Sequence, residues 1–140
     1  MTVPLTDTSE QEIEVWVSGP GEANRMFVVN GIARMRLEIA DMQEVGGRLV
    51  TAKETFTVLV GPVLTNAQFL RAVATATPNA MDFYFVKADG WEAWAVHEVD
   101  ADFDDETGRT ELRIEAEVQA AGRRVGMNSI SFQATILAAL

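Results

Sequence analysis

Short runs in which apolar and polar residues alternate make up most of the chain. In the run at residues 12–18, every second position is apolar: Ile13, Val15 and Val17. The runs at 33–41, 48–60 and 125–138 repeat this pattern. A period of two is typical of strands that bury one face, so we expect these apolar positions to point into a core.

Turn-forming residues separate the runs at intervals that fit strands. A glycine occurs at each of the following breaks: 19–21, 30–31, 46–47, 61–62, 89–90 and 105–108. Regular spacing of this kind favours antiparallel pairing. The sequence therefore predicts a mainly β fold, an antiparallel β-sandwich or flattened barrel of about seven or eight strands.

The domain organisation is predicted to be simple. At 140 residues and 15.3 kDa, the chain has the size of one domain. Residues 1–10 are mostly polar and are predicted to form a flexible N-terminal leader. We expect residues 11–140 to form a single β domain.

One segment carries the signals of a helix. Thr65 can cap a helix N-terminus, and Gln68 three residues later completes a capping box. Apolar side chains then follow at helical spacing: Phe69, Ala72, Val73 and Ala76. Pro78 ends the pattern. We therefore expect a short α-helix at about residues 66–76.

The runs at 92–104 and 109–119 predict the best-defined hairpin. Gly108 suits the left-handed position of a four-residue loop, which brings Asp104 opposite Arg109. The apolar faces of the two strands then match, with Phe103 opposite Thr110, Ala101 opposite Leu112, Val99 opposite Ile114 and His97 opposite Ala116.

Two further hairpins are predicted from the turn signals. Gly46–Gly47 would join the run at 33–41 to the run at 48–60. Residues 120–124 would join the run at 109–119 to the last strand, at 125–138.

Charge is strongly uneven along the chain. The sequence has 21 acidic and 11 basic residues and a formal net charge of −10. Ten of the acids, but only two arginines, lie between Glu92 and Glu117. The predicted hairpin register also opposes like charges, Glu98 to Glu115 and Asp102 to Glu111. An acidic chain of this kind is not a phosphate-backbone binder, so no nucleic-acid partner is expected.

Few residues could carry chemistry. The chain has no cysteine and one histidine, which excludes thiolate sites and sites with two histidines from one chain. His97 shares the apolar phase of its strand, which favours a structural role. We therefore predict no cofactor and no catalytic residues, although a carboxylate enzyme that uses two of the hairpin acids stays an alternative.

A cation site is only weakly indicated in the acidic hairpin. The candidate ligands alternate along one strand and continue into the next: Asp100, Asp102, Asp104 and Glu111. Asp105 occupies the position at which a calcium loop of the EF-hand type needs glycine. Residues two apart on a strand also lie about 7 Å apart, too far to chelate one ion. We predict no specific metal site.

Two tryptophans are predicted to lie off the core. Trp16 shares the polar face of its run, and Trp94 shares the parity of Glu92 and Glu98. Aromatic side chains often anchor protein interfaces. The predicted partner-contact residues combine these tryptophans with the hairpin acids: Trp16, Trp94, Glu98, Asp100, Asp102, Glu111 and Glu115.

These features predict a non-catalytic β-sheet subunit that binds protein and self-associates, with the acidic hairpin at 92–117 as its contact surface. The alternatives are a small-ligand carrier of the β-barrel type and a weak divalent-cation-binding module. The chain starts without a signal-peptide pattern and has no apolar run of about 20 residues. A cytoplasmic location without membrane contact is therefore the default expectation.

Overall fold

The protein is a two-sheet β-sandwich. The computed structural model describes residues 2–17, 25–39, 49–85 and 90–140. The strands in this part of the chain are β1 Thr2–Leu5, β2 Thr8–Trp16, β3 Arg25–Ile39, β4 Val50–Val60, β5 Phe69–Phe85, β6 Trp91–Phe103, β7 Thr110–Ala121 and β8 Arg123–Ala138. Sheet A has the strand order β1-β4-β7-β6, and sheet B has the order β2-β3-β8-β5. The mainly β, sandwich-like prediction is confirmed.

Alternation along the central strands forms the core between the sheets. On β7, every second side chain is buried, including Leu112 and Ile114 at 0% exposure. On β8, Met127, Ile130 and Ile136 are also fully buried. Removing this apolar surface from water supplies the main stabilisation of the fold.

No helix in the described ranges has the length and apolar character that a membrane crossing requires.

The predicted helix at 66–76 is wrong, although its capping box does form. The Thr65 N–H donates to Gln68 Oε1 at 2.9 Å, and the Gln68 N–H donates to Thr65 Oγ1 at 3.2 Å. The chain makes one turn and then extends from Phe69 as β5, which pairs with β8. Small and β-branched residues alternate in this segment, and sheet pairing overrides the local helix signal.

Regular structure begins within the segment predicted as a leader. Residues Thr2–Leu5 form β1, which runs parallel to β4 with Val3 opposite Phe56. Strand β2 begins at Thr8 and pairs with β3. The polar composition of residues 1–10 therefore did not indicate how much of this segment is hydrogen-bonded to the sheets.

The β6–β7 hairpin confirms most of the predicted register. Phe103 lies opposite Thr110, Ala101 opposite Leu112 and Val99 opposite Ile114. The Asp104 N–H donates to the Arg109 carbonyl at 2.9 Å, and Gly108 takes a positive φ of 73°. The loop is therefore closed as the sequence predicted.

A β-bulge at His97 breaks this register, so the pairing predicted for His97 and the residues before it is wrong. The pairing shifts between Val96 and Glu98, so that Val96, not His97, lies opposite Ala116. One extra residue moves every preceding side chain of β6 to the face of the sheet opposite to the predicted one. Trp94 therefore points toward the core, and Trp91 points outward with 45% exposure.

The other two predicted hairpins are also wrong. Strands β3 and β4 lie in different sheets, and so do β7 and β8. The Gly46–Gly47 turn lies outside the described residues. After Gly122, with a φ of 70°, the chain crosses from sheet A to sheet B, and β8 pairs with β3 and β5. A period of two shows which side chains share a face of a strand but not which strands are neighbours.

The side chains of β2 that point toward the interior of the sandwich are the opposite set from those predicted. Ile13 lies opposite Val28 and is 62% exposed, and Val15 is 38% exposed. Glu12 lies opposite the buried Val29, so the glutamates, not the apolar residues, share the interior side of sheet B. This arrangement is tolerated because β2 is an edge strand whose side chains are exposed along nearly its whole length.

Deletion of His97 should leave the fold intact. The pairs Val96–Ala116 and Glu98–Glu115 then become consecutive in a regular ladder, and only an exposed contact to Glu117 is lost. We expect a loss of less than about 1 kcal/mol in the free energy of unfolding, measured by urea denaturation.

Deletion of Val99 is the matched control. That change reverses the side chains on one part of β6 and should cost more than about 3 kcal/mol. Equal losses for the two deletions would contradict the assignment of His97 as the extra residue.

Candidate protein-interaction surfaces

The outer side of sheet A carries a dense acidic face. We define it by six carboxylates on β6 and β7: Glu98, Asp100, Asp102, Glu111, Glu115 and Glu117. As predicted, Glu98 lies opposite Glu115 and Asp102 opposite Glu111. All five acids predicted as contact residues therefore lie together on one surface.

Few cations offset the acidic face. Arg113 lies opposite Asp100, and Lys53 on β4 places its Nζ 3.1 Å from Glu115 Oε1. The hydrogen bond from Lys53 to this carboxylate raises the pKa of the Lys53 ammonium, which stays charged. The face keeps a negative balance, because two cations stand against six carboxylates.

The bulge places His97 on this face, contrary to its predicted place in the core. His97 Nε2 lies 3.0 Å from Glu117 Oε2, and the imidazole side chain is 42% exposed. The pair sits on an open strand surface and resembles an ordinary cross-strand contact. Nothing in this geometry supplies a nucleophile for His97 to activate.

The predicted cation ligands do not converge on one point. Asp104 lies in the β6–β7 turn, where its Oδ2 accepts a hydrogen bond of 3.2 Å from the Thr107 N–H. Asp102 Oδ1 accepts one of 2.8 Å from the Phe103 N–H. Within the described residues, no group of three histidine or acidic side chains is arranged to hold a metal ion.

The two predicted contact tryptophans lie in different environments. Trp94 is half-buried against the core, and its Nε1–H donates to the Gly126 carbonyl at 2.9 Å. Its ring lies 6.4 Å from that of Phe83. Trp16, at the end of β2, is 64% exposed. The outward placement of Trp94 was therefore wrong, and Trp91 is the aromatic that the bulge turns outward.

The middle of the outer side of sheet B forms an uncharged face with a shallow groove, which sequence analysis did not identify. The groove has a volume of about 680 Å³ and receives side chains from all four strands. Its central rows hold amides, hydroxyls and one aliphatic side chain: Ser9, Gln11, Asn30, Ile32, Thr75, Thr77, Ser131 and Gln133. Knowing that these residues share one face required the order of the strands in the sheet.

The free edge of β2 is the third surface. By free edge we mean the side of a strand backbone that pairs with no other described strand, and β2 pairs only with β3. The outward side of β2 carries the exposed Ile13 and Val15. Its interior side carries Glu10, Glu12 and Glu14.

Electrostatics along this edge are uneven. Glu10 lies 2.9 Å from Arg109, and Glu14 lies 3.8 Å from Arg25. Glu12, between them, has a raised pKa, because partial burial and the charges of Glu10 and Glu14 outweigh the opposing charge of Arg109. The ionised Glu12 is thus the least compensated charge on β2.

Comparison with protein-family models, with curated proteins and with solved structures gave no match. Function must therefore be argued from the acidic face, the uncharged face and the free edge of β2.

Substitution of Glu12 by glutamine should stabilise the protein at neutral pH. Because the folded-state pKa of Glu12 is raised, its ionised form is less favourable in the folded than in the unfolded chain. The gain is expected to be a few tenths of a kcal/mol, since the side chain is exposed and screened. It should vanish as the pH falls below the ordinary glutamate pKa, where both states are protonated.

Urea denaturation of Glu12→Gln at about pH 7 and about pH 4 measures this effect. Glu106→Gln, in the exposed β6–β7 turn, removes the same formal charge and is the control. A gain for Glu12→Gln that persists unchanged at the lower pH would refute the proposed cause.

Proposed function

We propose that the protein is a non-catalytic β-sheet subunit that self-associates and binds protein through its strand surfaces. The observation that carries this proposal is the free edge of β2. The edge is nine residues long, and its Ile13 and Trp16 side chains are 62% and 64% exposed. Such an edge offers unpaired backbone groups to another chain, and the three glutamates on the interior side of β2 restrict which strand can pair with it.

The charge distribution supports a directional mode of association. The acidic face would repel a second acidic face, so two copies would not stack through sheet A on sheet A. Arg34 and Arg71 lie instead on the outer side of sheet B, at opposite ends of the uncharged face. A contact between the acidic face of one chain and basic groups of another is therefore the favoured use of the hairpin acids.

The alternatives receive less support. A carrier of the β-barrel type needs its ligand space between the sheets, whereas the groove of about 680 Å³ lies on an outer face. A cation-binding module needs converging ligands, and Asp104 is held in a turn away from the alternating Asp100 and Asp102. A carboxylate enzyme needs a concave acidic site, whereas the hairpin acids spread over a strand surface.

Static light scattering tests self-association directly. We expect a mass above that of the 15.3-kDa chain, rising with protein concentration, because edge and face contacts would remove exposed apolar side chains from water. A strict monomer at millimolar concentration and low salt would contradict the proposed function.

The acidic face can be tested separately with the double variant Asp100→Asn, Asp102→Asn. If these carboxylates contact cations of a partner chain, association should weaken about three- to tenfold and lose part of its salt dependence. Sedimentation velocity at two ionic strengths measures both effects.

A matched double variant, Asp105→Asn with Glu106→Gln, changes the net charge equally in the exposed turn. An equal effect of the two double variants would show that net charge, not the acidic face, controls association.

A further inference from the structure

We propose that the free edge of β2 in one copy pairs with the free edge of β5 in a second copy, so that sheet B continues from chain to chain. This inference rests on the self-association proposed above and names the strands that meet. Strands β2 and β5 are the two outer strands of sheet B. In the described part of the chain, each is hydrogen-bonded on one side only, and the interior side of β5 also packs on β6, where the ring centroids of Phe69 and Phe103 lie 5.1 Å apart.

Pairing of β2 with a second β2 is unfavourable. Any register that keeps outward side chains on the same face would place the glutamates of one strand beside those of the other: Glu10, Glu12 and Glu14. Like charges directly opposed destabilise a strand pair. Glu12 already carries a pKa raised by partial burial and by the charges of Glu10 and Glu14, and a second β2 would add three more carboxylates.

Strand β5 offers a complementary edge. Its interior side presents small, half-buried side chains at Ala72, Ala74 and Ala76, which bring no like charge to the glutamates of β2. Its outward side presents Val73, which is 53% exposed and can pack against Ile13. On the outward side apolar residues then lie beside apolar residues, and on the interior side carboxylates lie beside methyl groups.

Strand direction also favours this pair. Each neighbouring pair in sheet B is antiparallel, so with four strands β5 runs opposite to β2. A second copy displaced sideways, without being turned over, therefore presents its β5 antiparallel to β2 and with the same face outward. This is the pairing that would extend an antiparallel ladder.

The existing rows of the sheet give the expected register. Ile13 lies opposite Val28, Val28 opposite Thr135, and Thr135 opposite Val73. A straight continuation of this row places Ile13 opposite the Val73 of the next copy. Glu12 then lies opposite Ala74.

The second half of β5 limits the contact. In the same register, Thr8 at the start of β2 lies opposite Pro78, which has no N–H to donate. The pairing of β5 with β8 shifts on either side of Ala80, which indicates local bulges. Proline and bulges protect an edge from pairing, so the open part of β5 matches β2 in length.

Contacts of this kind repeat, because every copy keeps one free edge of each type. The interface is heterologous, and successive copies would form a closed ring or an open filament.

Cysteine cross-linking tests the register, since the natural chain has no cysteine. Ile13→Cys with Val73→Cys places the two thiols on neighbouring copies at directly opposed positions, within reach of a disulfide. Within one chain the same positions are separated by three strand spacings, about 14 Å, which excludes an internal bond. Oxidation should yield bands at multiples of the 15.3-kDa chain on a non-reducing gel.

The single variants and a control pair decide between interfaces. Ile13→Cys alone and Val73→Cys alone should remain uncross-linked, as should Ile32→Cys with Val73→Cys, because β3 is an interior strand. A covalent dimer of Ile13→Cys alone would overturn the proposal in favour of β2 pairing with β2. Oligomers by light scattering without cross-links would overturn this interface but leave self-association standing, whereas a monomer in both assays would refute both.

Charged variants provide a second measurement that does not depend on oxidation. Ile13→Lys blocks the β2 edge and Val73→Lys blocks the β5 edge, and both positions are exposed, so the fold should tolerate them. Each variant alone should lose at least tenfold in association. Their mixture should give a 1:1 dimer through the two intact edges, and failure of the mixture to associate would count against a heterologous contact.

Discussion

The inner faces of β7 and β8 form the layer on which the rest of the sandwich depends. Each strand lies inside its own sheet, with a neighbour on both sides. Their facing side chains, such as Leu112, Ile114, Ile130 and Ile136, are fully buried. Because every other strand except β1 and β2 pairs directly with one of these two, the shared core fixes the position of β3 to β6.

Alternation in the sequence was enough to predict a mainly β sandwich and most of one hairpin register. It failed at His97 because the bulge changes the phase of the strand within a continuous run. The apolar residues Val96 and Val99 are three positions apart, whereas a regular strand would place apolar residues two apart. This change of phase was the only signal of the bulge in the sequence. Tertiary packing then decided which tryptophan is covered, since only Trp94 reaches the core.

Sheet membership could not be predicted from the same pattern. The turns after β3 and β7 were interpreted as hairpins, yet each connection crosses between the two sheets. The capping box at Thr65 is genuine, but the residues after Gln68 fit both a helical and a strand period. Hydrogen bonding to β8 stabilises the strand over the helix. Local sequence signals therefore predicted short-range hydrogen bonds correctly, whereas packing of the core determined which strands are neighbours.

The candidate surfaces also differ in how far the sequence predicted them. The acidic pairs followed from one hairpin register and were predictable residue by residue. The uncharged face and the orientation of β2 depend on strand order across a whole sheet, so Ile13 and Val15 were assigned to the wrong side. Their alternation was correct, but an edge strand can turn either face to solvent when the opposing sheet does not cover it.

The separation of charge between the two outer faces has an electrical consequence. With carboxylates concentrated outside sheet A and the outer side of sheet B nearly neutral, the molecule has a dipole moment perpendicular to its sheets. Two such molecules tumbling in dilute buffer exert a torque on each other before they touch, over roughly the 10 Å Debye length at 0.1 M salt. Collisions are thereby biased toward certain mutual orientations, and added electrolyte should progressively erase that bias.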